Sequence, residues 1–364
     1  MKRLFATLAT LGIALLVSAA LLEGGVLLTK GPQARFPRRV VGAPFGVRIN
    51  EPGARYWHTS PDVHVEFRIN AQGMRDDRDF AYAKPAGVRR IVSLGDSFTA
   101  GYEVSGEETF SSVLERALRA DGRRVEVLNA GVSGYSTAEE ALYLERELFR
   151  YEPDLVLVSF YSNDLVDNAR AGLFRLDGDQ LVQIADSYVP GGRFGNLLNT
   201  NPLFSFLSEH SSAFALLKEA ATTAAKQSVV AENLGHVASA EGAMAGDNPF
   251  AREQRRLTAA IFERIYADVR EKGIPLLIQS IPTPVYPDGP GGARIQLLDL
   301  FPMAEFPVDR PGLAFLSAKT VLDPLVGKQL LYHLRSHGHW TPLAHRLDGQ
   351  ALAKLVEEQS LLPR

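Results

Sequence analysis

The sequence contains no cysteine among its 364 residues. This absence excludes disulfide bonds, a thiol nucleophile, a cysteine-ligated zinc site and a lipidated cysteine anchor. Basic runs are lacking as well, and the formal net charge is -3, so we do not expect nucleic acid as a partner. No lysine follows the glycines of the Gly95–Gly101 stretch as a phosphate-binding loop requires. The sequence therefore indicates neither a cofactor nor a metal site, and it contains no internal repeat.

An uncharged apolar run near the amino terminus predicts a membrane anchor. Residues Leu4 to Leu22 follow Lys2 and Arg3, and as a helix they would span about 28 Å, close to the ~30 Å of a hydrocarbon core. We predict that residues 1–30 form an uncleaved transmembrane helix, because the apolar run continues through the small residues at 18–20. A signal peptide cleaved near residue 20, which would release a secreted protein, is the alternative.

The charges that flank this run do not settle its orientation. Four cationic residues lie on the far side, against Lys2 and Arg3 before the run, which is contrary to a strict positive-inside count: Lys30, Arg35, Arg38 and Arg39. A long downstream domain is translocated largely regardless of its charges. We therefore expect the rest of the chain outside the cytoplasm, on the periplasmic or cell-surface side.

The next segment, residues 31–87, predicts a linker and an extension with one strand. Residues 31 to about 60 are rich in proline, glycine and arginine and show no periodicity, which is typical of a surface linker. Apolar residues then alternate with polar ones from Asp62 to Ile69, the pattern of a half-buried strand.

From residue 88 to 360 the pattern predicts an α/β domain with a doubly wound parallel sheet, because strands and helices alternate. The predicted strands are Ile91–Leu94, Val125–Leu128, Leu155–Phe160, Leu276–Ile281 and Gln329–Tyr332. The rhythm breaks at about 165–250, where an alanine-rich section around Phe204 to Ala225 predicts an inserted helical cap. A substrate lid or a partner surface is the functional interpretation of the same insertion.

Four residues with the chemistry of acyl transfer lie at the carboxyl ends of the predicted strands: Ser97, Gly131, Asn163 and His339. Acyl transfer needs a nucleophile, a base within hydrogen-bond reach, and donors directed at the developing oxyanion. Ser97 can be the nucleophile and His339 the base. The N–H groups of Ser97 and Gly131 and the side-chain amide of Asn163 can be the oxyanion donors.

In order and spacing these residues resemble the four blocks of the SGNH (GDSL-like) hydrolase superfamily. Gly95-Asp96-Ser97 resembles its first block, Asn129-Ala130-Gly131 its second, Asn163-Asp164 its third and His339-Trp340-Thr341-Pro342 its last. The resemblance covers about residues 88–355, and Ile69 to Arg75 resembles the segment that precedes the first block in membrane-anchored members. It implies the flavodoxin-like fold of that superfamily and an ester substrate.

The sequence departs from the family pattern in two places. Members usually carry an aspartate two or three residues before the histidine, whereas this chain has Ser336 and His337 there. Tyr161 stands where a glycine usually precedes the asparagine by two residues. We therefore expect the acid that orients His339 to be missing and the enzyme to be slow.

The resemblance implies a membrane-anchored, extracytoplasmic serine esterase that cleaves O-acyl groups, such as acetyl groups, from a small molecule or a glycan. Two alternatives stay open. One is an O-acyltransferase that modifies a cell-surface polysaccharide, since the block around Trp340 resembles that of alginate-modifying acetyltransferases. The other is a catalytically degenerate glycan-binding or assembly module, which is compatible with envelope protein partners.

Overall fold

The apolar runs that predict buried strands lie together in one parallel sheet. The structure, a computed structural model, describes residues 1–190, 201–234, 244, 246–286 and 295–362. In chain order its strands are β1 (Val40–Gly42), β2 (Arg48–Asn50), β3 (Arg55–Thr59), β4 (His64–Arg68), β5 (Arg89–Leu94), β6 (Val125–Asn129), β7 (Leu155–Tyr161), β8 (Phe174–Asp177), β9 (Gln180–Gln183), β10 (Leu276–Ile281), β11 (Thr283–Val285), β12 (Gln296–Leu298) and β13 (Leu313–Ser317).

The helices occupy the predicted crossovers, the amino terminus and the insertion. They are α1 (Lys2–Lys30), α2 (Ser97–Ala100), α3 (Phe110–Ala120), α4 (Thr137–Arg146), α5 (Asp164–Ala171), α6 (Pro202–His210), α7 (Ser212–Leu234), α8 (Pro249–Glu271), α9 (Ala318–Leu322) and α10 (Pro342–Glu358). The predicted helical section around Phe204 to Ala225 is confirmed as α6 and α7.

The central sheet has the strand order β6-β5-β7-β10-β13, and all of its pairs are parallel. Alternate residues of each strand face different layers: Leu155 and Leu157 pack with α3 and α10, whereas Val156 and Val158 pack toward α4 and α8. This order is the flavodoxin-like one, with its switch point between β5 and β7. The predicted doubly wound α/β fold is confirmed.

The fifth strand of the sheet was predicted in the wrong place. The structure forms it from Leu313–Ser317, which pairs with β10, and not from Gln329–Tyr332. The latter segment makes only an isolated bridge between Tyr332 and Trp340. Its apolar residues Leu331 and Tyr332 are buried against the helical face of the sheet instead, so burial was predicted correctly and pairing was not.

The segment 31–87 is a packed part of the domain, whereas the sequence predicted a linker with one strand. It forms two antiparallel hairpins, β1 with β2 and β3 with β4. Phe36, Tyr56 and Phe67 are buried there in one apolar cluster, which includes Ala100 and Tyr102 from the chain that follows β5. The extension therefore supports the loop behind Ser97.

Helix α1 fits the length of a membrane span. Its 29 residues would extend about 43 Å at 1.5 Å per residue, and none of its side chains is buried. Of the described helices it alone is long and apolar enough to cross a bilayer, a property that signal sequences share. Near its end, Glu23 accepts hydrogen bonds from the Ser211 hydroxyl and from the N–H groups of Ser212 and Ala213 at the start of α7.

A buried ion pair joins the extension to helix α4, next to the sheet. Arg48 in β2 contacts Glu139 in α4 at 2.8 Å, and the two side chains are only 8% and 0% exposed. We predict that Arg48→Leu lowers the free energy of unfolding by about 3–5 kcal/mol, because it leaves the Glu139 carboxylate buried without its cation.

Urea unfolding of the detergent-solubilised protein measures this change, and Arg39→Leu is its matched control. The pair between Arg39 and Glu51 is 28% and 26% exposed, so its loss should change the free energy by less than about 1 kcal/mol. Equal losses in the two variants would contradict the assignment of Arg48 as the buried anchor.

Candidate active site

Ser97 is placed at the carboxyl end of β5 by a turn that only glycine allows. Gly95 has φ 154°, and a Cβ atom there would lie 2.0 Å from the Thr99 hydroxyl oxygen. Helix α2 begins at Ser97, and the Asp96 carboxylate caps it by accepting the Phe98 N–H at 2.9 Å. The Ser97 N–H has no acceptor among the described residues, so it is available to a ligand beside the hydroxyl.

The structure brings Ser97 and His339 into direct contact. The Ser97 Oγ lies 2.8 Å from the His339 Nε2, although the residues are 242 positions apart in the chain. The imidazole is largely buried and packs against the rings of Phe98 and Tyr102, with centroid distances of 4.9 and 5.4 Å. A serine hydroxyl paired in this way can transfer its proton to the ring.

A carboxylate lies beside His339 although the sequence predicted no acid there, and it belongs to Glu103. One of its carboxylate oxygens lies 3.6 Å from the His339 Nδ1 and accepts the His339 N–H at 2.9 Å. The other oxygen accepts the His337 N–H at 3.0 Å. Burial alone would raise the pKa of Glu103, but the hydrogen bonds and the nearby imidazole of His339 lower it overall. The His339 Nδ1 has no hydrogen-bond partner among the described residues, so Glu103 holds this residue through its backbone N–H and not through a hydrogen bond to the ring.

His337 does not orient the base. Its ring packs on Phe36 at 4.7 Å, and its Nε2 lies 4.0 Å from the Glu219 carboxylate. The His337 and His339 ring centroids are 6.3 Å apart. The segment before His339 therefore contributes a backbone N–H to Glu103 and not a side chain to the imidazole.

Asn163 lines the same cavity as Ser97, but its amide group already donates hydrogen bonds to two carboxylates. Its Nδ2 donates to the Asp96 carboxylate at 3.1 Å and to the Asp167 carboxylate at 3.2 Å. The Asn163 Oδ1 is buried and has no hydrogen-bond partner among the described residues. These contacts fix the side chain at the carboxyl end of β7, next to the start of α2. An oxyanion would have to compete with Asp167 for one of the two amide protons.

Gly131 lies outside the cavity, so its predicted role as an oxyanion donor is contradicted. Its N–H donates to the Asn129 side chain at 3.1 Å, and a Cβ atom there would meet the Ala100 nitrogen at 2.3 Å. The glycine is required because the chain after β6 packs against α2. Three residues later, Gly134 does line the cavity, and its N–H has no acceptor among the described residues.

The cavity around Ser97 has a volume of about 960 Å³, within the range of ligand sites. Its apolar side chains are few, and the ring of Tyr161 packs against Phe98 at a centroid distance of 4.5 Å on one wall. Helix α7 of the insertion forms the opposite wall with Ala215, Leu216, Glu219, Thr222, Thr223 and Lys226. The insertion thus acts as a wall of the site, which favours the lid interpretation over that of a passive cap.

A metal centre is not apparent in the parts of the chain that the structure describes: no three His, Asp or Glu side chains there are grouped to hold an ion.

The family of the chain follows from comparison with known sequences. The sequence model of the GDSL-like lipase/acylhydrolase family matches residues 93–299, more than half of the chain. The chain belongs to this family. Its resemblance to the SGNH hydrolases is thereby confirmed.

Individual relatives are more distant. An arylesterase of Vibrio mimicus is 37% identical over 75 residues, so the chain matches only 38% of the length of that relative and 21% of its own. The esterase EstA from Pseudoalteromonas sp. is 14% identical and has a TM-score of 0.38, over 75% of this chain and 98% of EstA. The carbohydrate acetylesterase Est24 from Sinorhizobium meliloti is 12% identical with a TM-score of 0.33, over 74% and 99% of the two chains.

Proposed function

We propose that this GDSL-family chain is a serine esterase that hydrolyses O-acyl esters through an acyl-Ser97 intermediate. The contact of 2.8 Å between the Ser97 hydroxyl and the His339 ring carries the proposal. His339 Nε2 takes the hydroxyl proton as Oγ attacks the ester carbonyl, and it returns that proton to the leaving alcohol. Water, activated by the same nitrogen, then releases the acyl group from Ser97 and regenerates the free hydroxyl.

The oxyanion of each tetrahedral intermediate needs preorganised donors. The N–H groups of Ser97 and Gly134 are suited to this role, because each belongs to a residue of the cavity wall and neither has an acceptor in the described structure. Asn163 becomes a third donor if its amide turns one proton from Asp167 to the substrate. The other amide proton of Asn163 stays hydrogen-bonded to Asp96 while this happens.

The composition of the cavity wall favours a small acyl group on a polar alcohol. Among its lining residues the larger apolar side chains are Phe98, Tyr161 and Leu216, whereas charged and hydroxyl-bearing residues predominate. A long acyl chain would gain little free energy from burial against so polar a wall. An acetylated carbohydrate fits these surroundings.

An assay of acyl release and acyl transfer tests the proposal. We predict that the protein hydrolyses 4-methylumbelliferyl acetate and that a fluorophosphonate labels the wild type but not Ser97→Ala. The control is Ser133→Ala, which alters another serine of the cavity and should be labelled like the wild type. The absence of turnover by folded protein would favour the degenerate binding module. Acetate that appears on an added glycan, and not in solution, would identify an acyltransferase. Labelling that survives Ser97→Ala would exclude Ser97 as the nucleophile.

Glu103 is proposed as the residue that orients His339 and stabilises its imidazolium. Removing the acid of such an arrangement typically lowers kcat by about 10⁴. Because the carboxylate is 3.6 Å from Nδ1 and acts partly through the backbone, we predict a loss of about 10²–10⁴ for Glu103→Gln.

The pH profile of kcat separates this role from a merely structural one. Loss of a carboxylate that stabilises the imidazolium makes the protonated ring less stable. Its replacement should therefore move the acid limb of the profile to lower pH as well as lower the plateau. Glu107→Gln, an exposed neighbour on the same loop, is the control. A reduced plateau with an unmoved acid limb would assign Glu103 to folding of the loop alone.

We further propose that α1 anchors the protein in a membrane with the catalytic domain on the extracytoplasmic side. The apolar length of α1, followed by the polar contacts of Glu23 with the start of α7, supports a helix that leaves the bilayer directly beneath the insertion.

Protease added to spheroplasts should digest the domain while a cytoplasmic marker protein stays intact. Alkaline carbonate should leave the chain in the membrane fraction. Protection of the domain would reverse the proposed orientation, and extraction by carbonate, with an amino terminus near residue 20, would identify a cleaved signal peptide.

A further inference from the structure

The wall of the catalytic cavity is rich in cationic side chains. Among the described residues that line it, two have carboxylates, Asp96 and Glu219. The cations outnumber them: Lys30, Arg38, Arg48, Arg170, Lys226 and Arg335. A ligand in this cavity therefore meets mainly positive charge.

Nearby carboxylates neutralise only part of this charge. Four of the cations have ionic partners: Arg48 with Glu139 at 2.8 Å, Arg335 with Asp62 at 2.8 Å, and Arg170 and Lys226 with a shared Asp167 at 3.2 and 3.3 Å. Lys30 and Arg38 make no ion pair with any carboxylate in the described ranges. The Arg170 Nε is buried and has no hydrogen-bond partner there. The cavity thus contains cationic donors that a ligand can engage.

The charge of Arg38 acts on two neighbouring cationic or ionisable side chains, Lys218 and His337. Burial, and then the charge of Arg38, lower the pKa of Lys218 to about 8 and that of His337 to about 4. Glu219 opposes both shifts but is about half exposed. Arg38 therefore adds positive charge to the wall that it shares with His337.

The position of Arg38 relates this charge to the reaction. Arg38 and His337 both line a small cavity that adjoins the main one. His337 is two residues from His339, and His339 is the proposed donor of a proton to the leaving alcohol. Lys30, Gln33 and Ala34 line the main cavity together with Arg38 and His337. A substrate group bound by Lys30 and Arg38 therefore belongs to the alcohol portion of the ester.

We propose, on the basis of the esterase function above, that the substrate is an acyl ester of an acidic alcohol, and that Arg38 and Lys30 bind its anionic group. Carboxylates and phosphates share the chemistry required, since guanidinium groups bind both through paired, charge-assisted hydrogen bonds. Acidic carbohydrates are the substrate class that combines such a group with the polar cavity.

Three acetyl esters of similar size test this proposal on the full-length protein: acetylated galactose, acetylated galacturonate and acetylated galactose phosphate. We predict that KM for at least one anionic ester is about tenfold or more below that of the neutral ester, the usual effect of a charge-assisted hydrogen bond. The preference should weaken as ionic strength rises from about 0.05 to 0.5 M, because salt screens such contacts. The carboxylate and phosphate arms identify which anion is preferred.

A double variant assigns the preference to the named residues. Lys30→Gln combined with Arg38→Gln should bring the ratio of neutral to anionic KM close to one. Arg252→Gln, which removes a cation paired with Asp247 outside the cavity, should keep the wild-type ratio. Equal KM values for all three wild-type substrates would overturn the proposal and leave the esterase intact. A preference that the double variant retains would overturn the assignment to Lys30 and Arg38.

Binding to Ser97→Ala separates this inference from the esterase proposal. Calorimetry with unacetylated oligogalacturonate and oligogalactose requires no turnover. Selective binding of the acidic oligosaccharide, lost in the triple variant that adds Lys30→Gln and Arg38→Gln, would support the anion site even if no ester is cleaved. Equal binding of both oligosaccharides, or of neither, would overturn it.

Discussion

The geometry of the site depends on the hydrogen bonds that the buried carboxylate of Glu103 accepts. Its two oxygens accept backbone N–H groups from His337 and His339, so one side chain fixes a segment that lies 236 residues away in sequence. Glu103 adopts φ 66°, a left-handed conformation that costs a non-glycine residue of order 1–3 kcal/mol. The hydrogen bonds that its carboxylate accepts offset that cost, and they hold the segment that carries His339.

The sequence predicted the interior of the sheet better than its borders, for a physical reason. Leu155–Phe160 and Leu276–Ile281 place apolar residues on both faces of the sheet, because helices cover both sides of a parallel sheet, and such runs are distinctive. The edge strand Leu313–Ser317 has only one strand neighbour and a less buried carboxyl-terminal half, so its pattern is weak. The β3–β4 hairpin packs on Ala100 and Tyr102, and the β1–β2 hairpin packs on the main core. These contacts between distant parts of the chain are not visible in the local pattern of residues 31–60.

The site was predictable where its residues belong to a local sequence motif and unpredictable where they do not. Ser97 and His339 were found because each is part of a local motif, and the structure brings them together. Gly131 was misjudged because close packing against Ala100 and access to a ligand both call for glycine, and sequence does not distinguish the two. Glu103 follows no spacing rule. Its only signal is a lone carboxylate between Tyr102 and Val104, both buried, six residues after the nucleophile.

The charges of the site are arranged in depth, with acids behind the nucleophile and cations facing the cavity. Burial, followed by mutual repulsion among the carboxylates, raises the pKa of Asp164 and Glu140, which favours their neutral forms. Asp167 lies in this acidic layer and also receives Arg170, Lys226 and the Asn163 amide. Asp167 is thus the carboxylate that two cations of the cavity wall share with the amide proposed for the oxyanion, so these three groups are held at one point of the site.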